Sequence, residues 1–310
     1  MVQIYKISSS GPVRLEEVQE GCWVNLVAPT EEEMFRIHQE LNIPLDFLRD
    51  ALDQEERAHI DNEDGVTQIV VDVPVLEVEG KSFLYTTMPL GIIHTDDILL
   101  TICLQECSLI MDFIDGRVRN VETSFKSRFI FQLLYRNATR FLMYLRQIDK
   151  ASDSLNLELQ KSYRNKELLQ MMALEKSLVY FSTSLKSNEV VLEKLVKVNY
   201  IKKYSDDTDL LEDAITENRQ AIEMCSIYSD ILSGMMDAYA SIISNNLNIV
   251  MKFLASMTIV VSVPTMVTGL WGANVSVPWQ NSPFGFWAVL GLALGATGIA
   301  IFFLWKKRMF

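Results

Sequence analysis

The chain has 310 residues, 49% of them hydrophobic and 22% charged, with a formal net charge of −12. Residues 252–310 contain no Asp or Glu and carry +4 through Lys252, Lys306, Lys307 and Arg308, so the 251 residues before them carry −16. An acidic body of this kind argues against nucleic acid or an anionic lipid surface as partner and suits contact with cations.

Met1–Ser10 has neither a basic n-region nor an apolar h-region, so no signal peptide is expected and only the C-terminal part is expected to enter the membrane. Gln3–Ile7 and Trp23–Val27 read as short strands. Thr30 with Glu33 forms a capping-box pattern that opens a helix through about Leu41, and a second short helix is expected over Leu45–Leu52. Thr67–Val78 and Phe83–Ile93 are strand-like runs on either side of Glu79-Gly80-Lys81, a hairpin pattern, and Ile98–Leu104 reads as a buried strand. Residues 1–120 are therefore expected to form an α/β cytosolic domain. The four cysteines, Cys22, Cys103, Cys107 and Cys225, follow no metal-ligand spacing and are expected to be reduced cytosolic thiols.

Beyond that point the punctuation disappears. No proline lies between Pro89 and Pro264, and Gly234 is the only glycine between Gly116 and Gly269, so the stretch reads as helix throughout. Glu122 to about Arg164 and Lys166 to about Val198 predict an antiparallel helical region over 121–205. A third helix starts near Asp206 or Asp209, runs as a stalk over 206–252 and continues into the membrane.

Stepping three and four residues along that third helix visits Asp213, Thr216, Gln220, Glu223, Ile227, Asp230, Gly234, Asp237, Ser241, Ser244 and Asn248. It then visits Met251, Ala255, Thr258, Ser262, Thr265, Gly269 and Gly272. Only Ile227 and Met251 are large and apolar. A polar line in a lipid-spanning helix must face protein or water, and a 3.5-residue period is the one that keeps a seam on the axis of a left-handed bundle. Ordinary small-residue helix packing is the alternative. A second, mostly apolar line (Leu211, Ala214, Asn218, Ala221, Cys225, Tyr228, Leu232, Met235, Tyr239, Ile242) supports either assembly with neighbouring copies or a seam within the chain.

The C-terminus predicts a transmembrane hairpin over 253–310: a first span at 253–271, an external loop at 272–283, a second span at 284–305 and a basic tail at 306–310. Lys252 and Lys306-Lys307-Arg308 place both termini on the cytosolic side, and Trp271, Trp279, Trp287 and Trp305 fit interfacial anchoring. Gly291 and Gly295 form a GxxxG pair in the second span. Pro264 leaves the Val260 carbonyl without its helix donor beside the hydroxyl ladder. Oxygen ligands of this kind suit Mg²⁺ more than Zn²⁺.

The passage from Asn248 through Met251-Lys252, Pro264-Thr265 and Gly269 to Trp271-Gly272-Ala273-Asn274 resembles the pore helix of the CorA family of divalent-cation transporters. The segments Asp230–Tyr239, Trp23–Leu26, Pro29–Glu32 and Leu48–Asp53 are similar to that family's stalk and cytosolic domain. The resemblance implies a CorA-like funnel built as a homopentamer in the cell membrane, with Mg²⁺ as substrate and regulatory ligand. It implies a hydrated ion held at a selectivity loop of Gly272, Ala273 and Asn274, and a pore lined by Asn248, Met251, Leu254, Ala255, Thr258, Ser262, Thr265 and Gly269, in which Met251 and Leu254 form the apolar gate. It also implies a regulatory Mg²⁺ between neighbouring cytosolic domains, held by Asp213 with Glu77 or Glu79. Ala273 stands where the family has methionine, as in the Gly-x-Asn branch that includes ZntB-like zinc transporters. A Zn²⁺, Co²⁺ or Ni²⁺ transporter, proton-coupled or not, is therefore the alternative, and a non-conducting membrane-anchored sensor is another. An enzyme is not expected, because there is no Gly-rich phosphate loop, nucleophile elbow or His/carboxylate constellation.

Overall fold

In the computed structural model of the chain, all residues are described except 80–81, 162–164, 199, 202–204, 274–275, 280–281 and 308–310, and except the side chains at 78–79, 82–83, 160–161, 165 and 205–206. Contacts divide the chain into two units, Met1–Met235 and Met236–Phe310.

The first unit is built on one sheet. Its strands are β1 (Val2–Ser8), β2 (Gly11–Leu15), β3 (Trp23–Val27), β4 (His59–Glu63), β5 (Val66–Glu79), β6 (Ser82–His94) and β7 (Leu99–Cys103), in the order β2-β1-β3-β7-β6-β5-β4. Among the described residues, only β3 and β7 pair in parallel. β5 and β6 form the expected hairpin, in register from Thr67 opposite His94 to Glu79 opposite Ser82. The two-residue side-chain period sorts each strand between two cores. Ile69, Val71, Val73 and Val75 join Trp23, Leu90, Phe113 and Phe129 on one face. Val24, Leu26, Leu100 and Ile102 join Met34, Ile37, Phe47 and Leu48 on the other. Each large side chain buried in this way contributes about 1.5–3 kcal/mol.

The second face is covered by α1 (Glu31–Leu41) and α2 (Leu45–Asp50). The Thr30 side chain accepts from the Glu33 N–H and the Glu33 carboxylate accepts from the Thr30 N–H, so the capping box is formed in full. Gly91 on β6 makes this layer possible: a Cβ there would lie 2.5 Å from Ala51 Cβ and 2.7 Å from Ile102 Cγ2. The first face takes α3 (Ser108–Ile114), α4 (Lys126–Lys161), α5 (Asn165–Lys197) and the start of α6 (Ser205–Trp271). β2, β4 and α3 have no counterpart among the elements expected from sequence.

Polar side chains dock α4 and α5 where the ladder runs out. Pairing with β4 ends at Val70, and Asp72 sits opposite Pro89, which has no N–H to give. Asn137 of α4 and Asn188 of α5 both donate to the Asp72 carbonyl at 2.8 Å, and the Asp72 N–H donates to Asn188 Oδ1 at 2.8 Å. The strand's orphaned backbone groups thereby become anchor points for two helices.

The apolar line on α6 is an intrachain seam. Leu211, Ala214, Asn218, Ala221, Cys225 and Leu232 are buried. Asn218 Nδ2 donates to the Leu185 carbonyl at 3.0 Å and Cys225 Sγ to the Leu178 carbonyl at 3.2 Å, both on α5. Arg219 adds hydrogen-bonded ion pairs to Glu189 and Glu193.

The second unit holds the rest of α6 and α7 (Gly285–Lys306). Both helices contain windows long and apolar enough to cross a membrane.

Candidate ion pathway

At 3.6 residues per turn, Thr258, Ser262, Thr265 and Gly269 fall within about 60° of one another around α6, while Ser256 lies about 160° from Thr258. Burial follows that division: Ser256 is 0% exposed, whereas Asn248, Met251, Leu254, Ala255, Thr258, Ser262, Thr265 and Gly269 are all exposed in the single chain. The hydrophilic edge is thus open in the single chain, as are the apolar Phe253, Met257, Val261 and Met266 outside that line.

The hydroxyl chemistry of that edge is directional. Thr258 Oγ1 donates to the Leu254 carbonyl at 2.8 Å and Thr265 Oγ1 to the Val261 carbonyl at 2.9 Å. With each proton committed to its own helix, what these threonines present outward is acceptor lone pairs. Acceptors are what the outward-pointing hydrogens of a cation's hydration shell require. Pro264 lies inside the helix just before Thr265 and has no N–H for the Val260 carbonyl, and Thr268 Oγ1 donates to the Pro264 carbonyl at 3.0 Å.

The helix ends at Trp271, and the Gly272 N–H closes the last turn on the Thr268 carbonyl at 2.9 Å. Trp271 Nε1 donates to the Pro278 carbonyl at 3.0 Å, and its ring stacks on Trp279. Trp279 has a positive φ of 65°. Gly285 follows because a Cβ there would lie 2.5 Å from the Trp279 carbonyl oxygen. Sequence alone suggests interfacial anchors at these tryptophans and misses their pairing; the signal available is the shortness of the link between the two spans. Gly272 and Ala273 are exposed at this turn, and Asn274 lies outside the described residues. A Cβ added at Gly291 or Gly295 would meet nothing within 4 Å, so the GxxxG face is open in the chain; Ala293 between them is buried.

In the first unit Asp213 is exposed on α6. Glu77 is half-buried and lines a cleft of about 600 Å³ with Gln105, Glu106, Cys107, Ser108 and Tyr144. The Glu79 side chain lies outside the described residues. Among the described residues, no three His, Cys, Asp or Glu side chains converge as a metal cage.

Comparison with known proteins identifies the family and the fold. The family of CorA-like Mg2+ transporter proteins matches residues 18–308. A curated relative, the cobalt/magnesium transport protein CorA of Methanocaldococcus jannaschii, is 28% identical, with 94% of each chain covered. The complete structure of the CorA magnesium transporter from that organism superposes with a TM-score of 0.83 at 26% identity, covering 98% of this chain and 97% of that one. Full-length CmaX shares the fold at a TM-score of 0.70 and 16% identity, covering 99% of this chain and 97% of that one. An α/β domain, long helices and a C-terminal apolar helix pair are therefore those of a divalent-cation transporter in a membrane, and not of an enzyme. The chain belongs to the family of CorA-like Mg2+ transporter proteins.

Proposed function

We propose that this chain is one subunit of a homopentameric channel in the cell membrane that takes up Mg²⁺ and closes when internal Mg²⁺ is high. The exposed hydrophilic edge of α6 carries the proposal. It is a polar line in a span otherwise made of apolar residues, exposed on the side of α6 away from the buried Ser256, and a shared water column between copies would satisfy it along its whole length.

In this reading residues 1–120 form the cytosolic α/β domain, 121–205 the helical region, 206–252 the stalk and 253–310 the hairpin. Both termini are cytosolic, as Lys252 at one span and Lys306-Lys307 at the other support. A hydrated ion docks at the ring of Gly272, Ala273 and Asn274, then passes the Thr265, Ser262 and Thr258 rings through hydrogen bonds to its water shell. Met251 and Leu254, both more than half exposed in the single chain, form the apolar constriction, with Asn248 below them.

Regulatory Mg²⁺ bridges Asp213 of one subunit to Glu77 or Glu79 of the next, and its loss lets the acidic faces repel and the constriction hydrate.

Flux into proteoliposomes tests the reading. Mg²⁺ entry without a pH gradient, lost in Asn274→Ala and no longer inhibited by internal Mg²⁺ in Asp213→Ala, supports it. Entry of Zn²⁺ alone, driven by a pH gradient, favours the zinc reading that Ala273 suggests. No flux of any divalent ion leaves a membrane-anchored sensor.

A further inference from the structure

Two helix faces in the first unit carry opposite charge, and the chain's own packing uses neither. Along α5, the lysines Lys176, Lys186, Lys194 and Lys197 share one line with Leu169, Met172, Val179 and Val190, all within about 100° around the helix. Every one of them is exposed, the apolar four by more than half. The line lies on the opposite side of α5 from the buried Phe181, whose ring meets Phe141 of α4 and Tyr85 of β6. In a body of net charge −16 its sign is unexpected. The glutamates of α5 are drawn off this face: Glu167 is buried, Glu175 accepts from the Ser233 hydroxyl, and Glu189 and Glu193 hold Arg219. Every exposed ionisable side chain described on α5 is therefore a lysine.

The α6 helix shows the reverse. Glu212, Glu223 and Asp230 are exposed within about 20° of one another, on the opposite side from Ala214, Ala221 and Cys225 in the seam to α5. They stand about 80–100° around the helix from Asp213, so they form a line separate from it. Arg219, the one exposed cation described on α6 within this unit, is already held by two glutamates. Among the described residues, none of the four lysines or of these three carboxylates enters an ion pair. Lys186 and Lys197 are eleven residues apart, as are Glu212 and Glu223, which is about 16 Å on either helix. Two such helices laid side by side in either direction bring both pairs together, with Val190 and Thr216 in the interval. Both lines face away from their own chain, so the partner that each fits is the other line on a second copy.

We propose that the α5 lysine line of one subunit seats on the α6 carboxylate line of the next, with Lys186 and Lys197 paired to Glu212 and Glu223. The inference rests on the homo-oligomeric reading above and names a contact within it. Each copy carries one line of each sign on different helices, so the contact is head-to-tail, the kind that closes into a ring. Exposed ion pairs contribute little singly. Burial of the apolar residues between the lysines supplies the cohesion, and the charges select register and partner.

The test uses the full-length protein in detergent at low salt. A carbodiimide joins lysines to carboxylates in direct contact, and denaturing gels with mass spectrometry identify the products. Covalent multimers joined from Lys186 or Lys197 to Glu212 or Glu223 are expected, and they should fade in about 1 M salt, where charges are screened within ~3 Å. Mass photometry across a dilution series then compares variants. Lys186→Glu with Lys197→Glu, and Glu212→Lys with Glu223→Lys, should each move dissociation to about tenfold higher concentration. A chain carrying all four changes should return to the wild-type midpoint, which a merely misfolded variant cannot do. Reversals that leave the midpoint unchanged, or a fourfold variant that does not recover, overturn the inference. So does an assembled wild-type protein whose Lys186 and Lys197 couple to no other copy, whether they stay open to amine acylation on a solvated face or lie under a different protein. In those cases the channel reading still stands; a wild-type chain that is monomeric in detergent and in liposomes overturns both.

Discussion

Trp271, the last residue of α6, lies nearly parallel to Trp279, with ring centroids 6.4 Å apart and planes 11° apart. The pair closes the turn of the hairpin, and Gly285 lets the Trp279 carbonyl pass where a side chain would otherwise stand. Substituting Gly285→Ala should cost about 1–3 kcal/mol of hairpin stability, the range for forced overpacking. Gly298→Ala, where an added Cβ meets nothing within 4 Å, should be close to neutral. Thermal unfolding of the two variants in detergent separates them, and equal melting points would mean that the turn adapts freely.

The threonine ladder makes a chemical prediction. Thr258→Val and Thr265→Val keep the shape but remove the outward acceptors, and each should reduce Mg²⁺ flux about tenfold or more as the lost hydrogen bond is repeated around a ring. Thr258→Ser and Thr265→Ser, which restore an oxygen that can donate to the same carbonyl, should recover most of it. Valine variants with unchanged flux would remove these side chains from the pathway.

Gly91→Ala tests the sheet of the first unit. The added methyl meets Ala51 Cβ and the Ile102 side chain well inside contact distance, so the layer of α1 and α2 must shift. A loss of about 1–3 kcal/mol is expected, read as a lower denaturation midpoint, and Gly91→Ala as stable as wild type would show that α2 is loosely held.

Much of this was legible because it is written in local pattern. The capping box at Thr30 and Glu33, the β5–β6 hairpin and the unbroken α6 each follow from residues a few positions apart. The elements that escaped lack such a pattern. β4 reads His-Ile-Asp-Asn-Glu, β2 opens with Gly-Pro, and α3 is a seven-residue helix in an apolar run. The seam on α6 was ambiguous because a 3.5-residue period fits a partner from the same chain as well as one from another. Gly285 and Ser256 likewise acquire meaning only once the hairpin is folded.

Asp72 gives a pH prediction. Burial raises its carboxyl above the ordinary carboxylate range, and the Ser184 hydroxyl partly offsets this. The unfolded chain titrates at about 3.9, so between that value and the raised folded one the native state holds the extra proton. Stability therefore falls as pH rises through this window, and above it the ionised carboxylate carries the burial penalty. Asp72→Asn should raise the melting temperature near neutral pH, with the gain shrinking toward about pH 4. A gain that grows on acidification would contradict the assignment.

The central claim is that the hydrophilic edge of α6 faces shared water, and thiol accessibility in the assembled protein measures it most directly. Ser262→Cys, Thr265→Cys and Ser256→Cys are each reconstituted in liposomes and treated with a cationic, membrane-impermeant methanethiosulfonate during Mg²⁺ flux. The account predicts modification and block of flux at residues 262 and 265, with Ser256→Cys, on the opposite side of the helix, unmodified. Protection at 262 and 265 together with labelling at 256 would place the edge against lipid or protein and contradict it.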